Sequence, residues 1–217
     1  MSTSAAVSVK PLLRGWLHAV AAVWAAVGLV VLVVLSRGDI TKLVTLSIYG
    51  VALVLLFGVS AVYHIPNWSP PRRRVLRRID HANIFLLTAG TYTPVATVLL
   101  RGGFRVGILV AIWSVSAAGI VLTAGLIPSH RRLLALIYVA SGWIAVFVGP
   151  QLIAAGGTAT LLLLAGGVLY SLGALAYALK RPQIIPRVFG YHEVFHLAVV
   201  AASVCFYVFM LVAVVPH

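Results

Sequence analysis

Seven long apolar segments take up most of the 217-residue sequence and leave no room for a separate soluble domain. A helix needs about 20 mainly apolar residues to cross a bilayer, and these segments are too long to be strands of a membrane barrel. Because lipid satisfies no open backbone group, the sequence predicts an all-α membrane protein, a single seven-transmembrane helix bundle over residues 1–217. The predicted spans are roughly 16–35, 43–63, 80–100, 104–127, 133–152, 158–179 and 191–215.

The composition supports the same class. Hydrophobic residues make up 62% of the chain and charged residues 9%, whereas a soluble domain is about half apolar and a quarter charged. The first segment resembles a signal peptide, but its apolar run exceeds the about 7–15 residues of a signal core, so we interpret it as a retained helix. Cys205 is the single cysteine, which excludes an internal disulfide. Gly and Ala are concentrated in 158–179, and small residues allow close helix contact, so this span is predicted to lie in the interior.

The basic residues predict the orientation. With seven spans, twelve of the 16 Lys and Arg fall on the side of the N-terminus, among them the arginines of 72–78, and four fall on the other side. Positively charged short loops remain in the cytoplasm, so the N-terminus is predicted to be cytoplasmic and the C-terminus outside the cell membrane. We therefore attribute the net charge of +13 to topology and to attraction for anionic lipid headgroups. No basic groove interleaved with aromatic residues indicates a nucleic-acid partner.

Polar residues at membrane depth are costly, and four ionisable ones fall at the cytoplasmic ends of distant spans. His64 ends the second span, Asp80 begins the third, and His192 and His196 open the seventh. The spacing of four places the last two on one helix face, as it does for Ser60 and His64. Three imidazoles with an open fourth position are typical of a catalytic zinc site. In this hypothesis Asp80 acts as base or binds the water, and Ser60 holds the water or a substrate carbonyl.

Simpler interpretations stand beside this one. Each histidine could be a hydrogen-bonded interfacial residue, and Asp80 could pair with Arg77 or Arg78 while capping the third span. The letters HEVFH also fit the HExxH pattern of zinc proteases, in which Glu193 would be the general base. Because Asp80 offers a competing base and no soluble catalytic domain exists, we favour Glu193 as a helix N-terminal acid or a partner of loop arginines. His18 either orients a neighbouring polar group or is a plain interfacial histidine.

Three stretches, SAVYHIP, LRRIDHANIFLLTAGTYTPVA and FGYHEVFHLAVV, carry a resemblance to a known family. Together with the seven-span layout they resemble the hemolysin III family, which belongs with the progestin and adipoQ receptors, including the adiponectin receptors, and is distantly similar to alkaline ceramidases. The resemblance implies a seven-helix bundle with zinc near the cytoplasmic face. The residues at the positions of the family's zinc ligands, aspartate and serine are His64, His192, His196, Asp80 and Ser60.

The resemblance also bears on two residues outside that set. Glu193 lies in the spacer between the two histidines of the seventh span, so its match to the protease pattern is incidental. The family tends to carry Thr before the histidine of span one, with acidic residues upstream. Here Leu17 precedes His18 and the first acid is Asp39, which leaves the role of span one open.

Three functions fit these observations. The first is a zinc-dependent, ceramidase-like hydrolase of a lipid amide or ester whose acyl chain lies in the bilayer. The second is a receptor-like or membrane-homeostasis protein in which the zinc is structural. The third is a cytolysin or channel, as the hemolysin name implies, although the spans lack a repeated polar stripe that could line a pore. The sequence names neither the substrate nor the oligomeric state.

Overall fold

The computed structural model describes residues 11–125, 131–153, 156–185 and 188–217, most of them helical. The helices are α1 (Trp16–Leu35), α2 (Ile40–His64), α3 (Pro70–Leu99), α4 (Gly102–Thr123), α5 (Arg131–Gly142), α6 (Gly149–Ile153), α7 (Gly157–Leu179) and α8 (Tyr191–Phe209). A 3₁₀ segment, Trp143–Val148, joins α5 to α6, and a π-helical turn, Met210–Val214, continues α8. These ranges contain no strand, only an isolated bridge between Ile185 and Phe189. The prediction of an all-helical chain is confirmed.

Within the described residues, six helices are long and apolar enough to cross a bilayer, namely α1, α2, α3, α4, α7 and α8 with its π-helical turn. They coincide with six of the predicted spans. The remaining segment, 133–152, consists of α5, the 3₁₀ segment and α6, and its apolar part, Leu136–Phe147, is shorter. The chain is a multi-pass membrane protein, while the count of seven spans, the single domain and the orientation stay predictions. Lys10 and Arg187, which contribute to the predicted orientation, lie outside the described residues.

The surface of the bundle is apolar where a soluble protein would be polar. Trp24, Val110 and Leu161 are 70%, 61% and 68% exposed, on three different helices. A soluble monomer rarely exposes a contiguous apolar patch of more than a few hundred square ångströms. Large exposed apolar side chains on several spanning helices are what a surface in contact with lipid requires.

Helix α3 begins ten residues before the predicted third span. Ser69 is its extended N-cap, and Pro70 and Pro71 follow at the first positions, where the missing N–H and the fixed φ of proline are tolerated. The helix is thus longer than the predicted span, because a search for apolar residues does not detect a basic helical turn. The arginines of 72–78 therefore lie on the same helix as Asp80, not in a loop.

The helices close into a ring around the site. Each spanning helix packs against the next, α5 connects α4 to α7, and α8 returns to contact α1. The most buried spans are α3 and α2, with 56% and 50% of their apolar windows inside the protein. These two helices and α8 carry the residues that the sequence predicted to form a site.

The prediction of an interior position for the span of α7 was wrong. Only 17% of its apolar window is buried, the lowest share of the six spans. Its glycines do allow close approach, since a Cβ at Gly173 would lie 2.9 Å from Cβ of Ala198 on α8. Leu161 and Leu172 on the same helix are exposed. Small residues thus predict one close helix contact and not burial on every side.

Candidate metal centre

Helix α2 ends at His64, and two hydrogen bonds hold this terminus. The backbone N–H of Ile65 donates to the carbonyl of Ala61 at 2.9 Å, and the indole N–H of Trp68 donates to the carbonyl of Val62 at 2.8 Å. They satisfy carbonyl groups that the last turn of a helix leaves without partners. His64 is 8% exposed, so its imidazole faces the protein interior.

Helix α8 supplies the other two imidazoles from its first turns. His192 and His196 are four residues apart, and their ring centroids lie 4.6 Å from each other. His196 is only 3% exposed, whereas His192 is partly buried. The two side chains therefore stand one above the other on the same face of α8, as their spacing requires.

The three imidazoles converge. Nε2 of His64 lies 3.2 Å from Nε2 of His192, and one ring nitrogen from each of these residues and His196 lies within 4.8 Å of the others. Ligands at about 2.0–2.1 Å around a tetrahedral ion stand about 3.3–3.5 Å apart, so a small adjustment allows this triad to share one ion. Imidazole nitrogen suits zinc, copper, iron and nickel. The triad can therefore hold a metal ion, and its donor atoms admit several metals.

Asp80 approaches this triad from α3. Its Oδ2 lies 3.9 Å from Nε2 of His64, and the hydroxyl of Ser60 is close enough to interact with its carboxylate. Ser60 is 3% exposed, and the side chain of Asp80 is 12% exposed. The simpler interpretation of Asp80 is not supported, because Ser69 caps α3 and no arginine among the described residues forms an ion pair with Asp80. A buried carboxylate thus lies beside the imidazoles.

Glu193 is occupied by two other partners. One carboxylate oxygen accepts the backbone N–H of Gly190 at 2.9 Å, which caps α8. The other oxygen forms an ion pair with Nε of Arg14, which lies just before α1. Glu193 is 1% exposed. The preferred interpretation, a helix N-terminal acid that pairs with an arginine, is confirmed.

The start of α1 packs directly on two of the candidate metal ligands. The ring of His18 stacks on that of His196, with centroids 3.8 Å apart and an interplanar angle of 4°. Gly15 has a φ of +90°, and a Cβ there would lie 2.8 Å from Cβ of His64. His18 is 3% exposed, so it is not a plain interfacial histidine. Helix α1 therefore supports ligands on both α2 and α8.

A cavity of about 840 Å³ extends from this cluster into the bundle. Its walls are mainly apolar, with side chains such as Leu87, Leu163 and Phe206. The candidate metal ligands and Asp80 line it, together with Arg73, Arg77 and Arg78 near the start of α3. The same cavity is therefore lined by arginines, by the candidate metal ligands with Asp80, and by apolar side chains.

Comparison with known proteins identifies the family of this chain. Residues 7–207 match the family described as Haemolysin-III related. The chain belongs to this family. It is 30% identical to Hemolysin-3 of Bacillus cereus over 202 residues, which cover 92% of this chain and 89% of the relative. It is likewise 30% identical to the Hemolysin-3 homolog of Bacillus subtilis (strain 168), over 86% of this chain and 85% of the relative.

A human relative extends the similarity beyond bacteria. The chain is 28% identical to the monocyte to macrophage differentiation factor of Homo sapiens over 194 residues, which cover 88% of this chain and 78% of the relative. The resemblance noted in the sequence is confirmed at the level of the family. The family match, over residues 7–207, includes every residue of the candidate site.

In this haemolysin-III related chain, one cluster contains every site residue predicted from the sequence, namely Ser60, His64, Asp80, His192 and His196. Sequence reasoning did not single out Arg14 as the partner of Glu193 or Gly15 as a contact of His64. An arginine or a glycine is common just before the apolar run of a membrane helix. No local signal distinguished these two.

Proposed function

We propose that this protein binds zinc through His64, His192 and His196 and hydrolyses an amide or ester bond of a membrane lipid. The observation that carries the proposal is the position of Asp80, held by Ser60 next to the triad and open to an apolar cavity. The proposal includes the seven-span bundle with a cytoplasmic N-terminus. The triad then lies near the inner leaflet, at the depth of the bonds between acyl chains and headgroups.

The residues have distinct roles in such a reaction. A zinc ion held by three imidazoles lowers the pKa of its bound water to about 7 and polarises a carbonyl group. Asp80 accepts the proton of the attacking water at a carboxylate oxygen and returns it to the leaving amine or alcohol. Ser60 fixes the orientation of that carboxylate through its hydroxyl group. The reaction consumes water and yields a fatty acid together with the amine or alcohol.

The cavity has the size and the apolar walls to hold the acyl chain of a lipid. A volume of about 840 Å³ lies within the about 300–1,000 Å³ of typical small-molecule sites. Leu87, Leu163 and Phe206 offer the chain an environment as apolar as the bilayer. A lipid that enters from the membrane can thus keep its tail in hydrocarbon while its carbonyl group reaches Asp80.

The name of the Bacillus relatives supports a second candidate, a cytolytic protein. A water-filled pore requires polar walls, whereas the walls of this cavity are mainly apolar. A receptor-like protein with a structural metal is the third candidate. Such a receptor would bind its metal through the same triad, but it would need no carboxylate beside the triad.

Metal content and lipid turnover test the proposal. In protein purified in non-ionic detergent, we expect about one zinc ion per chain, its loss in His192→Ala and its retention in Asp80→Asn. His217→Ala, a change of the same kind at an exposed tail residue, is the matched control. Fatty acid release from a panel of short-chain ceramides and phospholipids should disappear in Asp80→Asn.

Other outcomes would contradict hydrolysis. Retained zinc with no turnover on the whole panel would favour the receptor-like candidate. Leakage of dye from liposomes at low protein density, with no fatty acid released, would favour the cytolytic candidate.

A further inference from the structure

Helix α3 presents a continuous row of side chains to the cavity. Successive members are three or four residues apart and therefore share one face of the helix. The row is formed by Arg73, Arg77, Asp80, Ile84 and Leu87. At 1.5 Å per residue it extends about 21 Å along the helix axis. Its chemistry changes in order from cations to a carboxylate to hydrocarbon.

The chain offers no carboxylate side chain to neutralise these arginines. It has only three acidic residues. Asp39 caps α2 by accepting the N–H groups of Thr41 and Lys42, Asp80 lies against the triad, and Glu193 is paired with Arg14.

The position of the arginines makes this lack of partners more costly. The first turn of a helix, which Arg73 ends in α3, carries the positive end of the helix dipole, and this disfavours a cation there. No acidic residue lies in the first turn of α3 to offset this effect. An anion from outside the chain would therefore be stabilised at this end of α3.

We propose that the lipid bound at this site carries an anionic phosphate headgroup, which Arg73 and Arg77 hold at the mouth of the cavity. The forked guanidinium group matches phosphate oxygens and binds them through two parallel hydrogen bonds. Arg78 also lines the cavity, and its Nη2 would lie 2.9 Å from a Cβ at Gly125, two residues after the end of α4. The binding site stands without the hydrolysis, but the claim that this lipid is the substrate rests on the proposed function.

The order of groups along α3 fixes the orientation of the lipid. A phosphate at Arg73 and Arg77 places the headgroup at the mouth, with Asp80 one to two helical turns deeper. The acyl chain then extends past Ile84 and Leu87. A lipid with an uncharged headgroup would fill the apolar part equally well but would leave the two guanidinium groups without an anion.

The same helix supplies a matched control. Arg72 and Arg74 belong to the same run and are exposed like Arg73 and Arg77, but only the latter two line the cavity. General attraction to an anionic membrane surface would depend equally on all four. Binding of one headgroup in the cavity would depend on Arg73 and Arg77 and not on Arg72 and Arg74.

The test measures binding to the detergent-solubilised full chain. Dioctanoyl phosphatidic acid is the probe, and dioctanoylglycerol provides the same acyl chains without the phosphate. We expect wild type and R72Q/R74Q to bind the phosphatidic acid. In R73Q/R77Q the affinity should fall on the order of tenfold or more per arginine, as for the loss of a hydrogen bond to a charged group. All four arginines are exposed, so the variants should elute as folded protein in size-exclusion chromatography.

Three results would overturn the inference. One is an equal loss of affinity in the two double variants, which would indicate general surface attraction. Another is equal affinity for dioctanoylglycerol. The third is displacement of the lipid by inorganic phosphate at the same concentration, which would assign the arginines to free phosphate.

The failure of this inference differs from the failure of the proposed function. If phosphatidic acid binds through Arg73 and Arg77 while no lipid is hydrolysed, the binding site stands and hydrolysis is refuted. If a neutral ceramide is hydrolysed and R73Q/R77Q leaves its turnover and the binding of phosphatidic acid unchanged, hydrolysis stands and the headgroup site is refuted.

Discussion

The contact between Gly15 and His64, which supports the candidate metal centre, can be tested by adding a single methyl group in Gly15→Ala. Its φ of +90° costs a residue with a Cβ about 1–2 kcal/mol. A Cβ there would also lie 2.8 Å from Cβ of His64 and 3.0 Å from Cγ1 of Ile65. Ordinary contact begins at 3.4 Å, so Gly15→Ala must displace the end of α2 by about 0.6 Å or shift α1 by a similar amount.

This displacement acts on a candidate metal ligand. His64 comes from α2, whereas His192 and His196 come from α8, so a shift of α2 against α8 changes the distances between their nitrogens. Changes to residues that support metal ligands typically weaken metal binding 10–100-fold, and we expect Gly15→Ala to fall in this range. We also expect the free energy of unfolding to decrease by about 1–2 kcal/mol from the backbone cost alone.

Two other glycines separate the contributions. Gly102 has a φ of +58° and no atom within 4 Å of a built Cβ, so Gly102→Ala carries the backbone cost without a collision. Gly58 lies on α2 with neither a positive φ nor a close atom, and Gly58→Ala should stabilise the helix by about 0.5–1 kcal/mol. Zinc affinity is measured by competition with a chromogenic chelator in detergent. Unchanged affinity in Gly15→Ala, or an equal loss in Gly102→Ala, would refute the role of the close contact.

The ion pair and the ring stack around the triad give two more tests. Glu193→Gln should lower the free energy of unfolding by about 1–3 kcal/mol in a denaturation assay, less than the about 3–5 of fully buried pairs because 21% of the Arg14 side chain is exposed. It should keep lipid turnover, and a complete loss of turnover with zinc still bound would instead identify Glu193 as the general base. His18→Phe should bind zinc like wild type and His18→Ala about tenfold more weakly, since only the latter removes the ring that stacks on His196. Equal loss in both variants would show that the nitrogens of His18 matter, not its ring.

The cluster could be predicted from the sequence because, in a membrane protein, local sequence features indicate both the depth of a side chain and the helix face on which it lies. The pattern of Lys and Arg predicts the side of the membrane on which each loop lies. It therefore predicts the depth of His64, Asp80 and His192 in the membrane. The helical period indicates which residues share a face. Depth and face together placed these side chains near one another without any knowledge of which helices are neighbours.

Contacts between neighbouring helices were beyond these local rules. Arg14 and Glu193 are 179 positions apart, and only the closing of the ring between α1 and α8 brings them together. The irregular segment between α5 and α6 was missed for another reason. Gly142, Gly149 and Pro150 flank the 3₁₀ turns, and hydropathy alone does not register their poor helix propensity.

The resemblance left the role of span one open because Leu17 departs from the family's pattern, and the structure gives α1 a role that does not depend on that position. Helix α1 packs against both α2 and α8, the helices that carry the three imidazoles. Its first turn contacts one ligand from each helix, through Gly15 to His64 and through His18 to His196. In the proposed centre, metal binding and the docking of α1 are therefore linked, since an ion that requires the imidazoles to converge would favour the closed ring, and a loosened α1 would lower the affinity for the ion.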